Sequence, residues 1–87
     1  MSHAPNELAD QFPRDAENLH RLRVENAHFR QLADEYHALN RRIHRSETDM
    51  EPVSDVQLEA MKKTRLSLLD AIAIMLRVDG AQTHGPH

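Results

Sequence analysis

Eighty-seven residues, of which 29% are charged and 3% aromatic, with two glycines and no tryptophan, suit one small domain of exposed helices rather than a sheet or a deep pocket. The lack of cysteine excludes a disulfide framework, a thiolate nucleophile and a Cys-based zinc site. A formal net charge of -3 gives no bulk attraction to nucleic acid or anionic lipid, so only a local basic patch could supply one.

In chain order, Met1 to Pro5 has neither a basic n-region nor an apolar h-region, which points away from secretion and toward the cytoplasm. Asn6 is a helix cap, and Leu8 and Phe12 form an i, i+4 apolar pair before Pro13, which disfavours helix at Phe12. Pro13 suits a first helical position and Asp15 and Glu17 complement the helix dipole, so a second helical piece carries Leu19 and Leu22. Together these make a short N-terminal helical segment over residues 6–23. Val24 and Asn26 are mediocre helix formers but not breakers, so this segment either folds back or runs on into the next helix.

Phe29, Leu32, Tyr36, Leu39 and Ile43 alternate spacings of three and four, which predicts a first long helix over 26–48 with one apolar seam. Asp49 to Val53 interrupts it. Ser54 with Gln57 three residues later is a capping-box pattern that opens a second long helix over 54–78, bearing Leu58, Met61, Leu68, Ile72 and Met75. Gly80 is placed to end that helix, leaving a disordered tail over 80–87 and a single domain over 1–79. The most apolar stretch, Leu66 to Leu76, falls short of the roughly 18 residues of a membrane span and contains Asp70.

The expected architecture is therefore an all-α antiparallel helical hairpin with coiled-coil character. Antiparallel partners across a short loop can be put in register, and one register pairs Phe29 with Met75, Leu32 with Ile72, Tyr36 with Leu68, and Ile43 with Met61. It continues to Ser46 with Leu58. The misfit rung is Leu39 with Arg65, tolerable if the Arg stem lies along the seam and its charge reaches water. Leu19 and Leu22 find no partner within this hairpin, and Leu66, Leu68, Leu69, Ile72, Ala73, Met75 and Leu76 span an arc wider than one facing helix needs. Either residues 1–23 cover that surface or a second subunit does. Leu19, Leu22, Leu69, Ala73 and Leu76 are thus the candidate partner surface, and self-association or another helical protein is the expected partner.

Arg41, Arg42 and Arg45 lie level with Lys62, Lys63 and Arg65 in this register, forming a basic collar behind an acidic tip of Glu47, Asp49, Glu51, Asp55 and Glu59. As ordinary surface charge it pairs Arg45 with Glu59 across the hairpin; as a site it binds an anion or nucleic-acid phosphates, without the interleaved aromatics that such surfaces use. The first reading is preferred.

Seven histidines raise the question of metal. His37 and His44 are seven residues apart, about 10.5 Å along a helix axis, too far for one ion. Glu25 and His28 match the Glu-x-x-His spacing of di-metal bundles, with Glu59 or Asp70 as lone carboxylates, but the surrounding seam of Phe29 and Leu32 disfavours it. Solvated histidines flanking the seam, or an interface that responds to pH, fit better. Without a phosphate loop or a nucleophile beside a base, no enzyme, cofactor or small-molecule substrate is expected.

The run His28-Phe29, Leu32, Glu35-Tyr36-His37, Leu39, Ile43-His44-Arg45 and Glu47, followed by Ser54-Asp55, Leu58, Lys62-Lys63-Thr64-Arg65-Leu66-Ser67-Leu68 and Asp70, resembles the YdcH-like family, small bacterial proteins of a domain of unknown function. The resemblance reaches from about Asn6 to Leu76. The chain departs at Leu69, where the family favours Lys, and at Ser46, where a larger apolar residue is common. The resemblance implies a cytoplasmic bacterial helical hairpin, and no catalytic residues to carry over.

Overall fold

The computed structural model describes residues 7–48 and 52–84, and all regular structure among them is helical. In chain order come α1 (Leu8–Gln11), a 3-10 turn (Pro13–Asp15), α2 (Ala16–Glu25), α3 (Ala27–Glu47) and α4 (Asp55–His84). The connection between α3 and α4 includes residues 49–51, and these, like Asn6 and the chain start, lie outside the described residues.

Each boundary has a local cause. Phe12, at φ -130 and ψ 64, lies outside helical space, as the clash with a following proline favours, and Pro13 opens the 3-10 turn where its missing N–H costs nothing. Asn26 leaves helical space at φ -122 and ψ 109; its Oδ1 accepts from the Phe29 N–H at 3.0 Å, so it closes α2 and caps α3. This settles the choice left open over residues 13–25: the chain breaks there and folds back. Arg30 reinforces the corner by donating from Nη1 to the Arg23 carbonyl at 2.9 Å, one of the carbonyls the end of α2 leaves without a helical partner. At the head of α4, the Ser54 hydroxyl accepts from the Gln57 N–H at 3.1 Å, which is the cap the sequence implies.

The far end of α4 differs from expectation. The helix passes through Gly80 and ends at His84, beyond the predicted stop at Val78. Glycine ends a helix only when the chain turns into the left-handed region there; otherwise it is a helical residue costing about 1 kcal/mol against alanine, and Ala81 and Gln82 carry the helix onward. The rest of the predicted tail, residues 85–87, is outside the described residues.

Helices α3 and α4 pack together as the hairpin. Of the predicted seam, Phe29, Tyr36, Ile43, Met61 and Ile72 are buried, and Leu32, Leu39, Leu58, Leu68 and Met75 are half-buried. Across the open end lies the N-terminal segment: Leu8 and Leu22 join Phe29, Ala33, Tyr36, Ile72 and Leu76 in one core, with Phe12, Leu19, Leu32, Leu68, Leu69 and Met75 packed around it. The apolar surface the hairpin alone could not cover is therefore covered by its own chain. At about 1.5 to 3 kcal/mol for each large apolar side chain removed from water, this strap is a substantial share of the stability of so small a fold.

Candidate functional site

Polar side chains fasten the strap at both of its ends. At the start of α1, Oε1 of Glu7 lies 3.0 Å from Nδ1 of His37 on α3, and Oε2 accepts from Nδ2 of Asn40 at 3.5 Å. The other end of that amide, Oδ1, accepts from Nη1 of Arg65 on α4 at 2.9 Å. A carboxylate from the strap thus meets a guanidinium from α4 through one amide on α3. Near the strap's other end Arg23 pairs with Asp34 at 2.5 Å, and Arg21 pairs with Asp79 on α4.

The expectation for Arg65 gains a partner. Half-buried along the seam, its guanidinium donates to Asn40, itself only 1% exposed. A buried amide needs partners for both ends, and Glu7 and Arg65 supply them; among the described residues no buried side-chain nitrogen or oxygen lacks a partner. Tyr36, fully buried and edge-on to the His37 ring at 5.9 Å, has its pKa raised from 10.0. Loss of water is the main cause; the Arg65 charge opposes it and the carboxylates of Glu7 and Asp10 add to it.

Beside the Glu7–His37 contact is an open hollow of about 310 Å³ lined by Leu8, Leu19, Phe29 and Ala33 and by Glu7, His20, Arg23 and His37. Three of its four polar groups are already in the pairs just described.

The five candidate partner residues have been drawn inward. Leu22 and Leu76 are buried, and Leu19, Leu69 and Ala73 are half-buried, beneath or beside the strap. Among the described residues, the large apolar side chains that remain exposed are others: Val24, Val56, Leu66, Ile74 and Val78.

The basic collar is only partly assembled. Lys62 lies 3.1 Å from Glu47 and 3.8 Å from Glu59, and Arg65 is committed to Asn40. Arg41, Arg42, Arg45 and Lys63 are exposed. Glu59 sits with Lys62 rather than in the expected pair with Arg45, because i, i+3 neighbours on one helix are already close. Glu47 places a carboxylate against Lys62, which offsets the like charges that the collar brings level.

Among the described residues no three His, Asp or Glu side chains converge on a point that could hold a metal ion. Glu25 and His28 are both exposed, whereas His37 is taken up by Glu7. No described helix is long and apolar enough to cross a membrane.

Sequence reasoning missed Glu7, Asn26 and Asn40. For Asn40 a signal was present: it continues the row through Tyr36 and Ile43, so it faces the seam, beside an arginine that lacked an acceptor. Glu7 carried no such signal, since its partners depend on the fold-back.

No curated protein and no solved structure matches the chain. The family described as a protein of unknown function, DUF465, matches residues 29–76, the hairpin itself. That is narrower than the stretch from Asn6 carrying the YdcH-like resemblance, which is consistent with this family. With more than half its length matched, the chain belongs to the DUF465 family of proteins of unknown function.

Proposed function

We propose that this chain is a non-enzymatic protein-interaction module of the bacterial cytoplasm, a helical hairpin that works by binding a second helical surface, most simply its own. One observation carries the reading: with the strap in place and the core filled, Leu66, Ile74 and Val78 of α4 are still 51 to 59% exposed. Scattered apolar side chains are normal on a protein surface, but these three, together with Val56 at 81% on the same helix, favour a partner for so small a chain. The polar groups that lie closest together, Glu7, His37, Asn40 and Arg65, hold three segments of the chain in place, which supports a structural rather than a catalytic role for them.

Light scattering on the purified chain over a wide concentration range tests this, together with crosslinking in cells. A mass that rises with concentration, or a defined crosslinked species, is expected. A monomer at every concentration with no crosslinked species would end the proposal.

Anion or nucleic-acid binding by the collar is the second reading, favoured by the exposure of Arg41, Arg42, Arg45 and Lys63 and weakened by the engagement of Lys62 and Arg65. It requires an affinity that falls steeply with salt and is lost when Arg41, Arg42, Lys62 and Lys63 become alanine. No binding of DNA or RNA at low salt removes it.

A further inference from the structure

Helix α4 carries a second stripe, flanking its seam with α3. Thr64, Ser67, Ala71, Ile74 and Val78 are spaced three and four apart, and none is charged. Thr64, Ser67, Ile74 and Val78 are exposed, the last two at 54% and 51%, and Ala71 is half-buried. Spacing of this kind is that of a helix–helix seam, running ~21 Å at about 1.5 Å per residue.

The borders of the stripe differ. On one side lie Asp70 and Arg77, both exposed, and among the described residues neither makes an ion pair or a side-chain hydrogen bond. On the other lie Leu68 and Met75, half-buried edges of the hairpin seam. We infer that this face docks a second copy of the chain, α4 against α4 in antiparallel order, with Ala71 opposite the partner's Ile74 and Ser67 opposite the partner's Val78.

Three consequences of that register select it. Both of these layers set a small residue against a large one, so the helices approach closely without a clash. The charged borders meet, bringing Asp70 beside the partner's Arg77, and the two-fold axis makes this contact twice. The apolar borders meet as well, Leu68 beside the partner's Met75. A parallel pairing does none of this, because it lays the Asp70 charge against the partner's Met75. The groove of about 400 Å³ beside Ile74 and Val78, lined also by Leu22, Met75, Glu25, Asn26 and Asp79, has room for side chains of the partner helix. A single seam of this length covers less than the ~800 Å² per partner of a standard interface, so the dimer is expected to be reversible.

The inference rests on the self-association proposed above and adds the face and the direction. Sedimentation equilibrium gives the dimer constant for the native chain, Ile74→Glu, Asp70→Arg, and Asp70→Arg combined with Arg77→Asp. Ile74→Glu and Asp70→Arg should each weaken the dimer by roughly tenfold or more, about 1.4 kcal/mol at tenfold, while the double exchange restores it. Since the chain has no cysteine, an equimolar mixture of Ala71→Cys and Ile74→Cys chains reads the direction, and the mixed disulfide should exceed the Ala71→Cys homodimer. Circular dichroism confirms that each variant is folded. A native dimer unaffected by Ile74→Glu and Asp70→Arg, or a predominance of the Ala71→Cys homodimer, overturns this face or this direction and leaves self-association standing. A native monomer at all concentrations overturns both.

Discussion

Arg65 of α4 donates to Asn40 of α3 at 2.9 Å, a polar rung set into an apolar seam. Both groups are costly to bury alone, and each is made tolerable by the other, with Glu7 taking the remaining end of the amide.

Replacing Asn40 by Leu alone therefore strands the guanidinium and frees the Glu7 carboxylate from one partner. The expected loss in urea denaturation is about 1 to 3 kcal/mol. Changing Arg65 to Leu as well removes the stranded charge, so the double variant should recover most of that loss and can equal the native chain. A single Asn40→Leu variant as stable as the native chain would show that the rung contributes nothing.

The raised pKa of Tyr36 predicts a stability that falls in strong alkali. A phenol ionises by losing its proton, so a raised value means that the folded chain holds the proton more tightly than the unfolded chain does at 10.0. This contribution is complete below pH 10.0 and is lost as the pH rises through the folded value. Because Tyr36 is the sole tyrosine and there is no tryptophan, phenolate absorbance follows it directly. The native titration should lie above that of the urea-unfolded chain, and Tyr36→Phe should remove this part of the alkaline slope. Coincident native and unfolded titrations would contradict the burial of the ring.

The hairpin was legible because a seam spaced three and four apart is a strong periodic signal, and Phe29, Tyr36, Ile43, Met61 and Ile72 lie inside as that signal requires. The strap's destination was not. Its anchors, Leu8 and Leu22, are ordinary leucines whose partners lie on other helices, and Asn26, which turns the chain, is only a weak helix former by propensity. Capping turns that weak preference into a boundary, because the side-chain oxygen of Asn26 replaces a helical acceptor for Phe29. The candidate partner surface followed from not knowing where the strap goes: Leu19, Leu22, Leu69, Ala73 and Leu76 do need cover, and residues of the same chain provide it.

Leu22 distinguishes the strap's cover from cover by another subunit. If the chain covers itself, Leu22→Ala leaves a hole in the core and should cost about 2 to 5 kcal/mol, seen as a lower melting temperature at any concentration. The native chain's mass distribution at a given concentration should be unchanged by the substitution under native conditions. Exchange of amide hydrogens in α1 and α2 should quicken more than in α3, because the strap loses its anchor first. A Leu22→Ala chain that keeps its melting temperature but changes its mass would place Leu22 at a subunit interface.

Gly80 separates two accounts of how α4 ends. Were it the terminating residue, it would sit at positive φ, where a Cβ is resisted, and Gly80→Ala would destabilise the chain. In a helix that runs on to His84 it instead occupies ordinary helical space, where alanine costs less conformational entropy on folding. Gly80→Ala should accordingly add about 0.4 to 1 kcal/mol and a small gain in helical ellipticity. The gain is moderated by position, since the last turns of a helix fray and only part of the population benefits at any moment. A loss of stability on this substitution would return the end of α4 to Gly80 and shorten the helix to its predicted length.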